Sequence, residues 1–191
     1  MIDLKVYNKL PPLKGRVLIT EPFLEDDYFE RSVVLICEHN NEGSFGFVLN
    51  NYNELKLEDI SDFPVFDKQL STGGPVDQQH LYYIHTLGAQ IEGSISVTKD
   101  LFMGGDYEQL KEKAKLGLIK SNQIRFFIGY SGWTIGQLDD ELKENAWLVS
   151  EIIDLDELMN DKNNRIWEDY MKHQGGKYKA FAQFPINHKL N

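Results

Sequence analysis

The sequence has almost no cysteine and no long apolar run. Its single cysteine, Cys37, excludes an internal disulfide framework and any cysteine-rich zinc or iron–sulfur site. The longest strictly apolar stretch runs from Val33 to Cys37, which is far too short to span a bilayer. The start of the chain, Met1 to Val6, also lacks the apolar core of a signal peptide. These absences predict a cytoplasmic protein with no membrane partner.

Basic residues are scarce as well. Twenty lysines and arginines stand against thirty acidic residues, which gives a formal charge of −10 at pH 7. A surface of this sign repels phosphate backbones and anionic lipids. We therefore expect no direct nucleic-acid partner. Any regulation would go through a protein partner or a small ligand.

Apolar residues make up 41% of the 191 residues, enough for one domain with a sizeable core. The sequence shows no fixed-period repeat, no low-complexity segment and no linker, so residues 1–191 are expected to form a single domain. Strand patterns dominate the first part, and helix patterns dominate residues 150–182. This arrangement predicts an α+β fold around a mixed sheet rather than a regular βαβ succession.

Six segments have the composition of strands. They cover residues 15–20, 32–39, 45–50, 81–86, 94–98 and 124–130. Turn-forming residues at 40–43 separate the second from the third segment. This spacing predicts a hairpin with a longer loop.

Four helices are also predicted. The first carries Tyr107, Leu110, Ala114 and Leu118 on one face. The second begins at a capping box between Thr134 and Gln137, with an apolar stripe of Ile135, Leu138 and Leu142. The third is short and starts at Asp154, and the fourth has an aromatic face around Trp167 and ends at Gly175-Gly176.

The segment Cys37-Glu38-His39-Asn40 carries the most chemistry. On a regular strand, alternation places Cys37 and His39 on one face, about 7 Å apart between Cα atoms. A charged imidazole at that distance would lower the thiol pKa and make Cys37 a nucleophile or a redox sensor. The simpler interpretation is a small buried hydrophobic residue, and the apolar neighbours of the thiol favour it.

Two glycine-containing corners are further candidates. Ser131-Gly132-Trp133 lies between an apolar strand and a capped helix, but Trp133 stands where a nucleophile elbow needs glycine. A hydrolase using Ser131 would need a histidine within hydrogen-bonding reach. Gly73-Gly74-Pro75 matches neither a P-loop nor a dinucleotide fingerprint, and a bend before the next strand is its expected role.

The histidines do not suggest a metal site. His80 and His85 are five residues apart, so on one strand they point to opposite faces. His173 and His188 lie in the polar C-terminal region, where exposed imidazoles are common. The carboxylate clusters Asp26-Asp27 and Asp139-Asp140-Glu141 are interpreted as solvated surface, so we expect neither a metal nor a cofactor.

Taken in order, the motifs resemble the AlgH/YqgE family of bacterial proteins. The matching residues are Gly15 to Leu18, Pro22, Asp26, Phe29, Arg31 to Asn40, Gly43-Ser44, Gly46, Val48-Leu49-Asn50, Gly73 to Val76, His85, Gly129 to Trp133, Gly136-Gln137-Leu138, Glu141-Leu142 and Trp147-Leu148. They span residues 15–148, and Trp167 lies where the family also tends to carry tryptophan. The chain departs from the family at Asp27-Tyr28, where an Asp-Pro often occurs, and at Asn51, where an arginine often follows asparagine.

The resemblance implies a compact α+β domain whose strongly bent sheet closes towards a barrel, with helices around it. It implies little about activity, because the family has no established one, although some members are labelled transcriptional regulators. The charge of −10 argues against direct DNA binding by this chain.

The leading hypothesis is a non-enzymatic binding or regulatory protein. Its site would lie where the strand end at Glu38, the bend at Gly74 and the corner at Gly132 converge. A thiol-dependent activity at Cys37 and an indirect transcriptional regulator are the alternatives, and a hydrolase using Ser131 ranks last. The candidate residues are Cys37, Glu38, His39, Asn40, Gly43, Ser44, Asn50, Gly73, Gly74, Pro75, Ser131, Gly132, Trp133 and Gln137.

Overall fold

The structure is a computed structural model that describes Asn8, residues 10–24, Asp26, residues 28–64 and residues 67–183. Met1 to Val6, Asp27 and His188 lie outside the described residues. Within them the chain forms ten strands and six helices. The strands are β1 (Val17–Thr20), β2 (Val33–Asn40), β3 (Gly43–Val48), β4 (Tyr52–Lys56), β5 (Gln69–Thr72), β6 (Val76–His85), β7 (Ile95–Ser96), β8 (Phe102–Met103), β9 (Ile124–Trp133) and β10 (Trp147–Ser150).

The helices are short. They are α1 (Leu57–Ile60), α2 (Tyr107–Lys115), α3 (Gln137–Lys143), α4 (Leu155–Met159), α5 (Ile166–Gln174) and α6 (Tyr178–Phe181). Asp154 caps α4 by accepting from the amides of Asp156 and Glu157, and Gly175 ends α5. Both boundaries are as the sequence predicts.

All ten strands belong to one sheet, which runs β10-β1-β2-β3-β9-β6-β8-β7, with β4 paired to β5 and β5 to β9. The pairs are antiparallel except for β5 with β9, which is parallel. The α+β prediction with a mixed sheet is therefore confirmed. Among the described residues the sheet does not close into a barrel, because β10 and β7 remain at its two ends.

Because successive side chains of a strand point to opposite faces, core residues lie on both faces of the sheet. Val33 and Leu35 join Ile166, Trp167 and other helix residues in the largest core cluster. Val34 and Ile36 face the other way, into a cluster with Trp133, Leu138 and Trp147. A third cluster lies between β6, β9 and α2. Both faces of β2 are therefore covered, and its apolar run has the composition of a strand buried on both sides.

The second predicted helix begins later than expected. Thr134 and Gln137 do interact, because the Gln137 side chain accepts from the Thr134 amide at 3.0 Å. The Thr134 hydroxyl, however, bonds to that same side chain and does not cap the Gln137 amide. Gly136 is the N-cap, in a left-handed conformation with φ 75°, and Ile135 is 74% exposed outside the stripe. Likewise Leu118 lies beyond the end of α2 and is exposed.

Candidate functional site

The tip of the β2–β3 hairpin is a tight turn. Asn40 pairs with Gly43, so only Asn41 and Glu42 lie between the two strands, and the longer loop predicted from the sequence is wrong. The Asn40 side chain accepts from the Glu42 amide at 2.7 Å and donates to Glu38 at 2.9 Å. Gly43 has φ 134°, and a Cβ there would lie 2.4 Å from the Trp133 carbonyl oxygen. Glycine therefore lets the tip approach the end of β9.

The register of β2 against β3 shifts at Cys37. Ile36 pairs with Gly46 and Glu38 pairs with Phe45, which leaves Cys37 as an extra residue in β2. Such a bulge interrupts the alternation of faces. Glu38, rather than His39, therefore lies on the same face as Cys37. The shared face predicted for Cys37 and His39 is wrong for this reason.

The strand β9 and the bend before β6 meet at close range. Gly74 has φ 155°, and a Cβ there would lie 2.3 Å from the Tyr130 carbonyl. The Ser131 hydroxyl donates to the Gly73 carbonyl at 3.0 Å, and Val76 pairs with Tyr130. Gly73 and Gly74 therefore permit backbone packing against β9, and the bend predicted for them is confirmed.

These segments assemble a groove of about 430 Å³ at the hairpin tip, which we call the hairpin groove. It is lined by Glu38, Asn40, Glu42, Gly43, Ser44, Phe45, Val76, Tyr130, Gly132, Trp133 and Thr134. The hairpin supplies one wall, the end of β9 the floor, and the start of β6 the opposite wall. A volume of this size lies within the range of small-ligand pockets.

The groove combines aromatic rings with acidic side chains. The rings of Phe45 and Tyr130 are half-buried, with centroids 4.8 Å apart. Glu38 and Glu42 are exposed at the hairpin wall. Neither lysine nor arginine is among the lining residues in the described part of the chain. Lys14, whose charge acts on the Cys37 thiol, lies on the β1 side of β2 and away from the lining.

The structure does not bring every candidate residue to the groove. Glu38, Asn40, Gly43, Ser44, Gly132 and Trp133 line it, whereas Cys37, His39, Asn50, Gly73, Gly74, Pro75, Ser131 and Gln137 do not. Asn50 has a structural role, because its side chain accepts from the Val33 amide at 2.9 Å and donates to the Arg31 carbonyl. The Nδ1 atom of His39 lies 2.8 Å from the Ser44 hydroxyl.

The thiol of Cys37 is completely buried in the largest core cluster. Desolvation by this burial raises the pKa of the thiol, against a smaller lowering by the charge of Lys14 and a still smaller raising by the charge of Glu38. A thiol of this kind is protonated at neutral pH and does not act as a nucleophile. The structure thus favours the packing interpretation over the thiol-dependent alternative.

Ser131 is also buried, with 1% of its surface exposed. Its hydroxyl is engaged by the Gly73 carbonyl, and no histidine of the described residues is hydrogen-bonded to it. The base that a serine hydrolase requires is absent from this arrangement. The structure thus gives Ser131 a packing role and does not favour the hydrolase alternative.

Glu141 is a structural residue that the sequence analysis assigned to solvated surface. Its carboxylate accepts from the indole nitrogens of Trp133, at 2.8 Å, and Trp147, at 2.7 Å, and from the Gln137 amide group at 3.0 Å. The indole of Trp133 is thereby fixed within the core, with 6% of the residue exposed. Gln137 belongs to this network rather than to the groove.

Other lining residues were missed in the sequence, namely Phe45, Val76, Tyr130, Thr134 and Glu42. Tyr130 lies two residues before Gly132, so strand alternation from that candidate could have found it. Phe45 could not be found in this way, because its pairing with Glu38 depends on the register shift at Cys37.

A polar cluster lies beside the groove, beyond Val76. Asp77 has φ 51°, a conformation that is uncommon outside glycine, and its carboxylate contacts His80 Nδ1 at 2.6 Å and the Tyr82 hydroxyl at 2.5 Å. These two hydrogen bonds lower the pKa of Asp77. Partial burial and the bond to Asp77 raise the pKa of Tyr82 to about 12. His80 is exposed, as is the whole first half of β6, whereas His85 at the end of the strand is buried.

Two classes of feature are not found in the described part of the chain. No group of three or more histidine, cysteine, aspartate or glutamate side chains there is arranged to hold a metal ion. No helix there has both the length and the apolar character needed to cross a membrane.

Known proteins match almost the whole chain. A relative from Cytophaga hutchinsonii, named UPF0301 protein, is 38% identical over 180 residues, covering 93% of this chain and 98% of its own. The UPF0301 protein CT0663 from Chlorobaculum tepidum is 40% identical over 180 residues, covering 93% of this chain and 96% of its own.

Two solved structures share the fold. Protein DIP2367 from Corynebacterium diphtheriae superposes with a TM-score of 0.77 at 25% identity, covering 93% of this chain and 95% of its own. The solution structure of the AlgH protein from Pseudomonas aeruginosa superposes with a TM-score of 0.71 at 23% identity, covering 95% of this chain and 100% of its own. The family model described as AlgH-like, DUF179, matches residues 17–179. The chain therefore belongs to the AlgH-like family, whose function is not established.

Proposed function

We propose that this protein is a non-enzymatic binding domain that holds a protein partner or a small ligand in the hairpin groove. The observation that carries the proposal is the assembly of one groove from three segments that are distant in sequence, at β2–β3, at Val76 and at the end of β9. Both polar side chains and aromatic rings are accessible in it, as recognition requires. The two nucleophiles considered from the sequence, the Cys37 thiol and the Ser131 hydroxyl, do not line the groove, which supports binding over catalysis.

Regulation belongs to this proposal as the consequence of complex formation. A bound partner would be held or released by the domain, and any effect on transcription would be indirect. The formal charge of −10 disfavours contact with phosphate backbones. A cytoplasmic location is part of the proposal too, and a reducing compartment suits the free thiol of Cys37.

A groove-filling variant tests the proposal. Gly132 is exposed in the groove and has an ordinary φ, and a Cβ there meets only side-chain atoms of Tyr130 and Val76, at 3.3 Å or more. Gly132→Leu would therefore occupy the groove without disturbing the backbone. We would screen a fragment library of neutral, cationic and anionic compounds by ¹⁵N-edited NMR.

The expected result is a set of compounds that shift the amide signals of Gly43, Gly132 and Thr134 in the parent protein and not in Gly132→Leu. The matched control is Ser96→Leu, at an exposed position of β7 outside the groove, which should leave these shifts unchanged. Compounds that bind only elsewhere, or equally well to the filled variant, would contradict the proposal.

A further inference from the structure

The charges around the hairpin groove point to a specific class of occupant. Glu38 and Glu42 project from the hairpin wall, and neither is paired with a lysine or an arginine within the described residues. The one hydrogen bond recorded for the Glu38 carboxylate comes from the neutral Asn40 side chain. Two carboxylates are thus available to a cation that enters the groove.

The aromatic residues of the groove favour the same kind of group. Phe45 and Tyr130 are half-buried lining residues with ring centroids 4.8 Å apart, and Tyr82, outside the lining, has its centroid 5.7 Å from that of Tyr130. Aromatic faces attract cations through their quadrupole, and the guanidinium group of arginine also stacks on them. Carboxylates beside such rings can accept both parallel hydrogen bonds of a guanidinium.

Resting on the function proposed above, we infer that the occupant of the hairpin groove is a basic, arginine-containing segment of a partner protein. The carboxylates of Glu38 and Glu42 pair with its guanidinium groups, and the rings of Phe45 and Tyr130 stack under them. An acidic or phosphorylated segment would meet two like charges and no cation from the lining residues. The overall charge of −10 steers a basic segment towards the surface, and the groove provides its local site.

The experiment uses three capped pentapeptides of equal length, in which two side chains between glycines are both arginine, both glutamine or both glutamate. Binding to the full chain is followed by ¹⁵N-edited NMR at low ionic strength. We expect only the arginine peptide to shift the amides of Gly43, Gly132 and Thr134. A lysine peptide should bind in the same place and more weakly, because ammonium groups do not stack as guanidinium groups do.

The double variant Glu38→Gln with Glu42→Gln removes both charges and keeps the side-chain size. Because exposed ion pairs are individually weak, the loss of two of them should lower the affinity for the arginine peptide by about tenfold. The matched control is Glu112→Gln with Glu144→Gln, which changes the net charge equally at exposed positions outside the groove. It should change the affinity by less than about twofold.

The outcomes separate this inference from the function on which it rests. If the glutamine or glutamate peptide, or a neutral fragment, occupies the groove as well as the arginine peptide does, the basic occupant is wrong and the binding domain remains. An equal loss of affinity in the control variant would show attraction by the whole surface and would also overturn the inference. If nothing shifts the groove amides, both the occupant and the proposed binding function fail.

Discussion

The Cys37 side chain packs between strand and helix residues, and this packing governs its chemistry. Forming a thiolate there would place a charge in an apolar environment, and the charge of Lys14 offsets only part of that cost. Val33 and Leu35 lie in the same cluster on the sheet side, and Trp167 and Met171 lie in it on the helix side. The thiol is therefore a piece of core rather than a reagent.

Alkylation of Cys37 should consequently require unfolding. We expect iodoacetamide to modify the native protein at pH 8 far more slowly than a small free thiol, and to modify it at the free-thiol rate in guanidinium chloride. Mass spectrometry over time measures both rates. Rapid modification of the native protein, with a midpoint below about pH 8.5, would restore the thiol-dependent hypothesis.

His85 makes the stability of the fold dependent on pH. The imidazole is fully buried, its Nδ1 accepts from the Leu87 amide at 3.2 Å, and its Nε2 lies 3.0 Å from the Gly104 carbonyl oxygen. The ring is therefore neutral, with its proton on Nε2. Desolvation by burial lowers the pKa of His85, against a smaller raising effect of the bond to Gly104.

Acidification should destabilise the protein through His85. Because the folded-state pKa is lowered, the unfolded state binds more protons once the pH falls below the unfolded value of about 6.5. The contribution to the free energy of unfolding is complete above that pH and is lost progressively below it. Urea titrations at several pH values between about 7.5 and about 5 give the free energy of unfolding at each pH. The slope of this free energy against pH should be smaller for His85→Gln than for the parent. His173→Gln, at an exposed position, should keep the parent slope.

At the scale of elements, buried charged side chains connect helix α4 to the sheet through hydrogen bonds and an ion pair. Arg125 of β9 is completely buried and donates to the carbonyls of Leu158 in α4 and Leu49 after β3. Just beyond α4, Asp161 forms a buried ion pair of 3.0 Å with Lys68 and accepts from the Gln69 amide. Desolvation lowers the pKa of both Lys68 and Arg125. Two buried cations thus face one buried carboxylate.

Asp161→Asn should therefore cost far more stability than an exposed charge deletion. It keeps an acceptor for the Gln69 amide but leaves Lys68 buried without its counter-charge, which typically costs about 3–5 kcal/mol. Adding Lys68→Met should recover part of the loss. Asp140→Asn, which breaks an exposed pair of 2.7 Å with Lys143, should cost less than about 1 kcal/mol. Denaturant unfolding measures all four proteins, and equal losses in the two single variants would contradict this account.

The elements that could be predicted from the sequence are those whose apolar composition or capping residues reveal them. The apolar runs of β2 and β9 and the capped helix α4 fall into this group. The strand β4 was missed because its residues, Tyr52 to Lys56, are polar and largely exposed, and its place is set by pairing with β5. The short strand β10 was missed as well, although its four residues are buried, as those of β1 are.

The residues of the candidate site likewise divide into those that could be predicted from the sequence and those that could not. Its backbone components, such as Gly43 and Gly132, were found as turn and corner residues. The side chains that face the groove depend on which face each strand presents after the shift at Cys37, and a single sequence does not reveal an extra residue in a strand. The convergence of the segments also depends on β3 and β6 pairing with β9, which are contacts between distant residues.

For the whole molecule, charge determines which partners are repelled. The formal charge of −10 acts over about one Debye length, roughly 8 Å at physiological ionic strength. A surface of this sign attracts basic proteins and raises their association rates. The same field opposes nucleic acids, whose non-specific binding depends on lysine and arginine contacts with phosphates.

The protein should accordingly not bind a random-sequence DNA duplex. We expect no change in fluorescence anisotropy of a labelled duplex at physiological salt up to a protein concentration of about 10⁻⁴ M, where non-specific binders are at least about half-saturated. A basic DNA-binding protein serves as the positive control. Saturable binding that weakens steeply with added salt would contradict the expectation and would reopen direct regulation of transcription.

The extra residue in β2 also affects the twist of the hairpin. A chain without Cys37 would keep Ile36 opposite Gly46 and Glu38 opposite Phe45, so the strand pairing on either side of the deletion would survive. What it would lose is the added twist that a bulge gives a strand. The hairpin tip at Asn41 and Glu42 would then lie at a different angle to the end of β9. The lone cysteine is thus a core residue and, at the same time, the extra residue of the bulge that twists the hairpin.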